Sequence, residues 1–161
     1  NELIRLNKTL LFLSKIENNQ YIELTNVDIN TKVRYSIEML SEVYESKDIT
    51  IHLYEKSQWI LQANEELIAS LVSNLLRNAY TNSQPHATID IYIKEGVLCI
   101  ANTSEGESLD TTRLFDRFYR KHGKKNSNGL GLSIVKAICE ASHIKVNYSF
   151  KQSKHIFTVS R

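Results

Sequence analysis

The dipeptide Glu95-Gly96 constrains this chain's fold more than any other feature. It joins two apolar-rich stretches, 87–94 and 97–102, as a tight turn joins hairpin strands. A second strand pair, 144–150 with 155–160, closes the sequence. Strands linked so closely lie antiparallel, which excludes a purely parallel sheet. Helical patterns alternate with them. Leu3, Leu6, Leu10, Leu13 and Ile16 recur at spacings of three and four over 1–18, and Val33, Ile37, Leu40 and Tyr44 do so over about 31–46. Asp28 or Asn30 can cap that second helix. Asn64 caps a third, with Glu65 and Glu66 in its first turn, where the helix dipole favours anions. It runs to about Asn82, and Pro85 prevents continuation. Residues 49–53 and 59–61 read as further strands, 111–119 as a short helix anchored by Leu114, Phe115 and Phe118, and 129–142 as the last helix. The mixture predicts an α+β, two-layer sandwich whose mixed sheet is covered by helices on one face.

A chain of 161 residues can bury one sizeable core. A net charge of +2 is too small to argue for nucleic acid or an anionic membrane as partner. No apolar run approaches the ~20 residues a membrane helix needs. Cys99 and Cys139 sit among apolar neighbours and read as a buried, reduced pair, with no metal or disulfide spacing. The start, Asn1-Glu2-Leu3, is no signal peptide and reads as a fragment of something longer.

Three segments carry chemistry. Asn74 and Asn78, four apart, share one edge of the third helix, beside an apolar face of Val72, Leu75, Leu76 and Ala79. A carboxamide oxygen is a hard ligand suited to magnesium, and its amide can donate to phosphate; the plainer reading is two solvated amides. Gly129-Leu130-Gly131-Leu132 opens the last helix, where glycine admits a close ligand and free amides attract phosphate; alone, it is also a flexible turn. Arg113 to Arg120 forms an aromatic and basic stretch that leaves Arg120 at the mouth of a polar, basic segment.

In their order, these segments resemble the catalytic, ATP-binding domain of two-component sensor histidine kinases, which shares a superfamily with gyrase-type ATPases. Asn74-Leu75-Leu76-Arg77-Asn78-Ala79 is similar to that family's N box, Arg113 to Arg120 to its F box, and Gly129 to Lys136 to its second glycine box. The resemblance covers about 28–161, and residues 1–20 resemble the end of the dimerisation domain, leaving 21–161 as the catalytic domain. It implies a Bergerat-type fold. It also implies that Asn78 ligates magnesium, Asn74 approaches the phosphates, Arg120 reaches the terminal phosphate, and Asn102 reads adenine with Gly106 nearby. Gly129, Leu130, Gly131 and Leu132 would close on the triphosphate beneath a lid at about 118–130.

Departures accompany the match. Asn102 stands where the family places an aspartate, Ser104 and Ser127 replace glycines, and Thr81 replaces a frequent lysine; weaker nucleotide binding is expected. Asn74 occupies the place of the water-activating glutamate of gyrase-like ATPases and cannot act as a general base. The terminal phosphoryl group is therefore held for another nucleophile, in this family a histidine followed by an acidic residue. Here His52, His86, His122, His143 and His155 precede Leu53, Ala87, Gly123, Ile144 and Ile156. None fits, so the acceptor histidine is expected outside this chain. The implied partners are the dimerisation domain of the same kinase, a homodimeric whole protein and a response regulator. The implied place is the cytoplasm, as part of a membrane-anchored sensor, without membrane contact by this piece. The alternative is a degenerate nucleotide-binding module that acts through protein–protein contact.

Overall fold

The computed structural model describes residues 1–119 and 130–161. Helix α1 (Glu2–Glu17) is capped by the Asn1 side chain, which accepts from Leu3 N–H. Strand β1 (Thr25–Asp28) leads into α2 (Ile29–Val43), and Asp28 is its cap, accepting from Thr31 N–H at 3.3 Å. A single 3-10 turn, Glu45–Lys47, ends that segment. Strands β2 (Thr50–Glu55) and β3 (Ile60–Ala63) precede α3 (Glu65–Thr81), where Asn64 accepts from Leu67 N–H at 3.1 Å, as its position foretold. Then come β4 (Thr88–Lys94), β5 (Val97–Thr103), α4 (Gly131–Ala141), β6 (Lys145–Lys151) and β7 (Lys154–Ser160).

The main sheet has the order β2-β4-β5-β7-β6. Only β2 and β4 run parallel, so the sheet is mixed, as expected. Strands β1 and β3 form a separate antiparallel pair. Glu95 and Gly96 both take positive φ, 50° and 73°, which suits a two-residue hairpin. The β6–β7 turn does the same at Gln152 and Ser153 without any glycine. That hairpin is accordingly tighter than the sequence suggested.

Alternation along the strands decides the layers. Ile89, Ile91, Ile93, Leu98, Ile100, Phe157 and Val159 are each at most 2% exposed and meet the helices. His52, Tyr54, Tyr92 and Lys94 point the other way, into solvent, and Tyr54 stacks on Tyr92 at 4.7 Å. Helix α3 lies at the centre of the covering layer, packed on α2, α4 and β5. Lys47 fastens its end, donating to the carbonyls of Tyr80 (2.8 Å) and Ser83 (3.0 Å). Burial lowers the pKa of that ammonium. Helix α1 packs on α4 through its second half, burying Leu13 and Ile16, while Leu3, Ile4 and Leu11 stay exposed.

Three expectations need correction. Residues 111–119 form no helix. They make successive turns, with Asp116 N–H reaching Arg113 O and Tyr119 N–H reaching Asp116 O. Leu114 is buried and Phe115 packs on the core, but Phe118 has φ 65° and is 52% exposed, so it anchors nothing. The run is too short to repay helix nucleation. The cysteines differ as well. Cys139 is buried, and burial, aided by Glu140, pushes its thiol up to about 12. Cys99 is only half-buried, on the uncovered side of the sheet. Both are free thiols. Among the described residues, no helix is long and apolar enough to cross a membrane.

Candidate nucleotide site

Asn74 and Asn78 stand half-buried on one edge of α3, because the apolar face of that helix is committed to the core through Leu71, Leu75, Leu76 and Ala79. The Asn74 amide donates to Ser70 O (2.8 Å) and Ser70 Oγ (3.1 Å), which leaves its Oδ1 turned outward from its own helix. That oxygen meets the start of α4. A Cβ placed on Gly131 would lie 3.3 Å from Asn74 Oδ1, tighter than most such contacts. Gly131 is therefore small for a reason visible in the fold: the two helices approach at this point.

Among the described residues no side chain caps α4. The Ser133 hydroxyl donates back to Leu130 O at 2.7 Å and is buried, so it does not serve as a cap. The first amides of a helix have no acceptor within it and carry partial positive charge. Such an end is suited to an anion. Leu130 is fully buried and Leu132 half-buried, which anchors this helix start against the core.

In the last turn of α3, Asn78 Oδ1 accepts from Asn82 Nδ2 at 2.8 Å. A carbonyl oxygen has two lone pairs, so one direction remains for a second partner. Thr81 donates to the Asn78 carbonyl at 3.2 Å and offers no positive charge. Among the described residues, no cluster of histidine, cysteine or carboxylate side chains could hold a metal ion.

Asn102 lies at the end of β5, on the helix-facing side of the sheet, and is 1% exposed. Among the described residues, neither its buried Oδ1 nor its buried Nδ2 has a hydrogen-bond partner. Such groups are rare in folded proteins and mark a place where something else supplies the bonds. Its register neighbours are Ile89 and His155. His155 Nδ1 shares a hydrogen bond with the Tyr148 hydroxyl at 2.7 Å, and that hydroxyl accepts from Leu109 N–H at 3.0 Å. The loop after β5 is thus tied to β6. Ser104 N–H donates to Ser153 O at 2.8 Å, and its hydroxyl accepts from Gly106 N–H at 3.0 Å, so the serine in the glycine position is built into the turn.

The fold therefore joins Asn74 to Gly131, with Leu130 and Leu132 flanking, and places Asn102 and the Gly106 turn at the end of β5 on the same side of the sheet. Arg120 and Gly129, and most of the expected lid, lie outside the described residues. Ser133, Tyr148 and His155 were missed. Only the β5–β7 register, which no local motif announces, reveals that His155 faces Asn102. A second polar cleft, lined by Asp28, Asn30, Arg34, Glu55, Ser57 and Gln58, is internally paired and structural. Asn30 holds Glu55 and Ser57 O and receives Trp59 N–H, Arg34 pairs with Glu55, and Gln58 donates to Asp28.

Tyr148→Phe should release the loop at 104–110 without opening a cavity. The expected loss is about 1–3 kcal/mol in stability, since Leu109 N–H and His155 each lose a partner. Amide hydrogen exchange at Leu109 should accelerate. Unchanged exchange would count against the tether.

Helices thus cover one face of a mixed sheet, and a carboxamide edge on one helix faces the glycine-led start of another. The model of the histidine kinase-, DNA gyrase B- and HSP90-like ATPases matches residues 63–160, and the chain belongs to that family. It is 31% identical to the heme sensor protein HssS of Staphylococcus saprophyticus, over 99% of this chain and 36% of that protein. The chain thus spans about a third of the length of such relatives. Its fold is similar to that of full-length ShkA in complex with AMPPNP, with a TM-score of 0.77, 21% identity, and coverage of 98% of this chain and 35% of that one. It is also similar to the histidine kinase ThkA solved with the response regulator protein TrrA, with a TM-score of 0.76, 20% identity, and coverage of 99% and 47%.

Proposed function

We propose that this chain is the ATP-binding catalytic part of a sensor histidine kinase, which transfers the terminal phosphoryl group of ATP to a histidine outside the chain. The observation that carries this reading is the meeting of Asn74 Oδ1 with Gly131 beneath an uncapped helix start. It sets a polar α3 edge against the first backbone amides of α4, which have no acceptor within their own helix, an arrangement suited to a triphosphate. Residues 1–20 are the end of a dimerisation domain, and 21–161 are the catalytic domain. The exposed Leu3, Ile4 and Leu11 on α1 agree with a helix that has a further partner in the whole, homodimeric protein.

Asn78 would hold magnesium, and the free direction on its Oδ1 fits that role. When bound, the ion neutralises phosphate oxygens and holds them for in-line attack. Asn74 positions the phosphates and, lacking a carboxylate, leaves water unactivated. The amides at Gly131 and Leu132 receive phosphate, and Arg120 and Gly129, outside the described residues, complete the contacts to it that the family resemblance implies. Asn102, with the Gly106 turn, faces the base. The phosphohistidine then passes its group to a response regulator, as part of a membrane-anchored sensor with this domain in the cytoplasm. No step here uses a membrane or a nucleic acid.

The test has two stages. Magnesium-ATP at millimolar concentration should raise the melting temperature, because ligand bound only by the native state stabilises it. Radiolabelled ATP should then label an added homologous dimerisation domain and leave this chain unlabelled. Absence of any thermal shift would favour the module that acts by protein contact alone. A dissociation constant in the low micromolar range would show that Asn102, Ser104, Ser127 and Thr81 do not weaken binding.

A further inference from the structure

We propose that Asn102 lets the base pocket accept the 6-oxopurine edge of inosine and guanosine nucleotides as well as the 6-aminopurine edge of adenosine nucleotides. This rests on the reading of Asn102 as the base-facing residue. The supporting observation is that both ends of its carboxamide are buried and unpartnered in a side chain only 1% exposed.

The asparagines on α2 and α3 and at the α3 cap contrast with it. Asn74 is fixed by Ser70, Asn78 by Asn82, Asn30 by Glu55 and Trp59, and Asn64 by Glu23 O and Leu67. Each has one orientation imposed by its neighbours. Nothing imposes one on Asn102. Ile89, one of its register neighbours, offers no polar side chain, and the Ser104 hydroxyl already accepts from Gly106. His155, on the other side, shares Nδ1 with Tyr148. Turning the amide half a revolution about its last bond exchanges donor and acceptor, and the broad torsion there makes this easy.

The two purine edges are mirror images in hydrogen-bond polarity. A 6-aminopurine presents an amine donor beside an N1 acceptor, and a 6-oxopurine presents an O6 acceptor beside an N1–H donor. A carboxamide has one of each and can match either edge by turning. A carboxylate has acceptors only, so against either edge it meets the one donor and opposes the neighbouring acceptor, N1 of a 6-aminopurine or O6 of a 6-oxopurine. The carboxamide at this position therefore meets both positions of either edge, where an aspartate would meet one of the two.

The experiment is isothermal titration of the chain, with magnesium, by ATP, ITP and GTP, for the native sequence and Asn102→Asp. The expected native affinities for ATP and ITP agree within about fivefold, and Asn102→Asp weakens both by about tenfold or more, the scale of one unmatched buried hydrogen bond on either edge. GTP binding within about tenfold of ITP, the effect allowed for one added small group, extends the acceptance to guanine; GTP rejected while ITP binds overturns that part. A native preference for ATP over ITP of about fiftyfold, unchanged in Asn102→Asp, overturns the proposal while leaving the nucleotide site intact. Failure of all three nucleotides to bind the native chain removes the site itself and the proposal with it. If Asn102→Asp does not fold, as judged by its circular dichroism melt, Asn102→Ser takes its place. Losing both ends of the amide, it should weaken ATP and ITP alike and leave their ratio near that of the native chain. A ratio shifted tenfold or more, the size of one lost buried bond, would overturn the proposal.

Discussion

Asn78→Ala is expected to abolish the magnesium-dependent part of nucleotide binding while leaving the fold intact. The residue stands half-buried in the last turn of α3, where alanine is the better helix former by about 0.5 kcal/mol. The side-chain bond lost is the one from Asn82, which still donates to the Asn78 backbone carbonyl at 2.7 Å. Stability should thus change by less than about 1 kcal/mol. The proposed ligand for the metal, however, disappears. Affinity for magnesium-ATP should fall at least about a hundredfold, and phosphoryl transfer to a supplied acceptor domain about a thousandfold. Titrations with magnesium and with a chelator separate the effects: the native chain should bind more tightly with the ion, and the variant should not distinguish the two. Equal magnesium dependence in both chains would remove Asn78 from the metal site.

Leu76→Ala should produce the largest loss of stability. Leu76 is 0% exposed and belongs to the face of α3 pressed into the core. Truncating a buried leucine costs about 2–5 kcal/mol, from lost burial and from the cavity left behind. For a chain of this size the melting temperature should drop roughly 5–20 °C. The side chains of Asn74 and Asn78 keep their own bonds on the opposite edge of the helix. Nucleotide affinity measured well below the new midpoint should accordingly stay within about threefold, as for sites that do not share partners. A loss below about 1 kcal/mol would mean that the core relaxes around the gap, contrary to this packing.

Local chemistry made much of the fold legible. Asp28 and Asn64 cap the helices they were expected to cap, and Glu95-Gly96 turns the hairpin, because each is decided within a few residues. Features set by distant pairing were not visible. Strands β1 and β3 are four residues each and pair across α2, so no period identifies them as a separate sheet. The parallel alignment of β2 with β4 depends on where α3 packs. Over 111–119 the aromatic residues read as a helix face, yet Asp110 and Asp116 favour turns, and Phe118 is left in solvent.

The candidate site divides the same way. Asn74, Asn78 and Gly131 stood out by the order and spacing of their motifs together, whereas the crowding of Asn74 Oδ1 against the place a Gly131 side chain would take comes from two helices about 50 residues apart in sequence packing together. Asn102 stood out only through the family resemblance, at the end of a strand. Its lack of a hydrogen-bond partner among the described residues is a property of the folded sheet.

Asn78 occupies the closing turn of one helix and Gly131 the opening turn of another. Peptide dipoles leave the first of these ends slightly negative and the second slightly positive. In the proposed site a cation at the first end and an anion at the second would each meet a backbone pole of opposite sign, a contribution that comes from peptide groups and does not titrate.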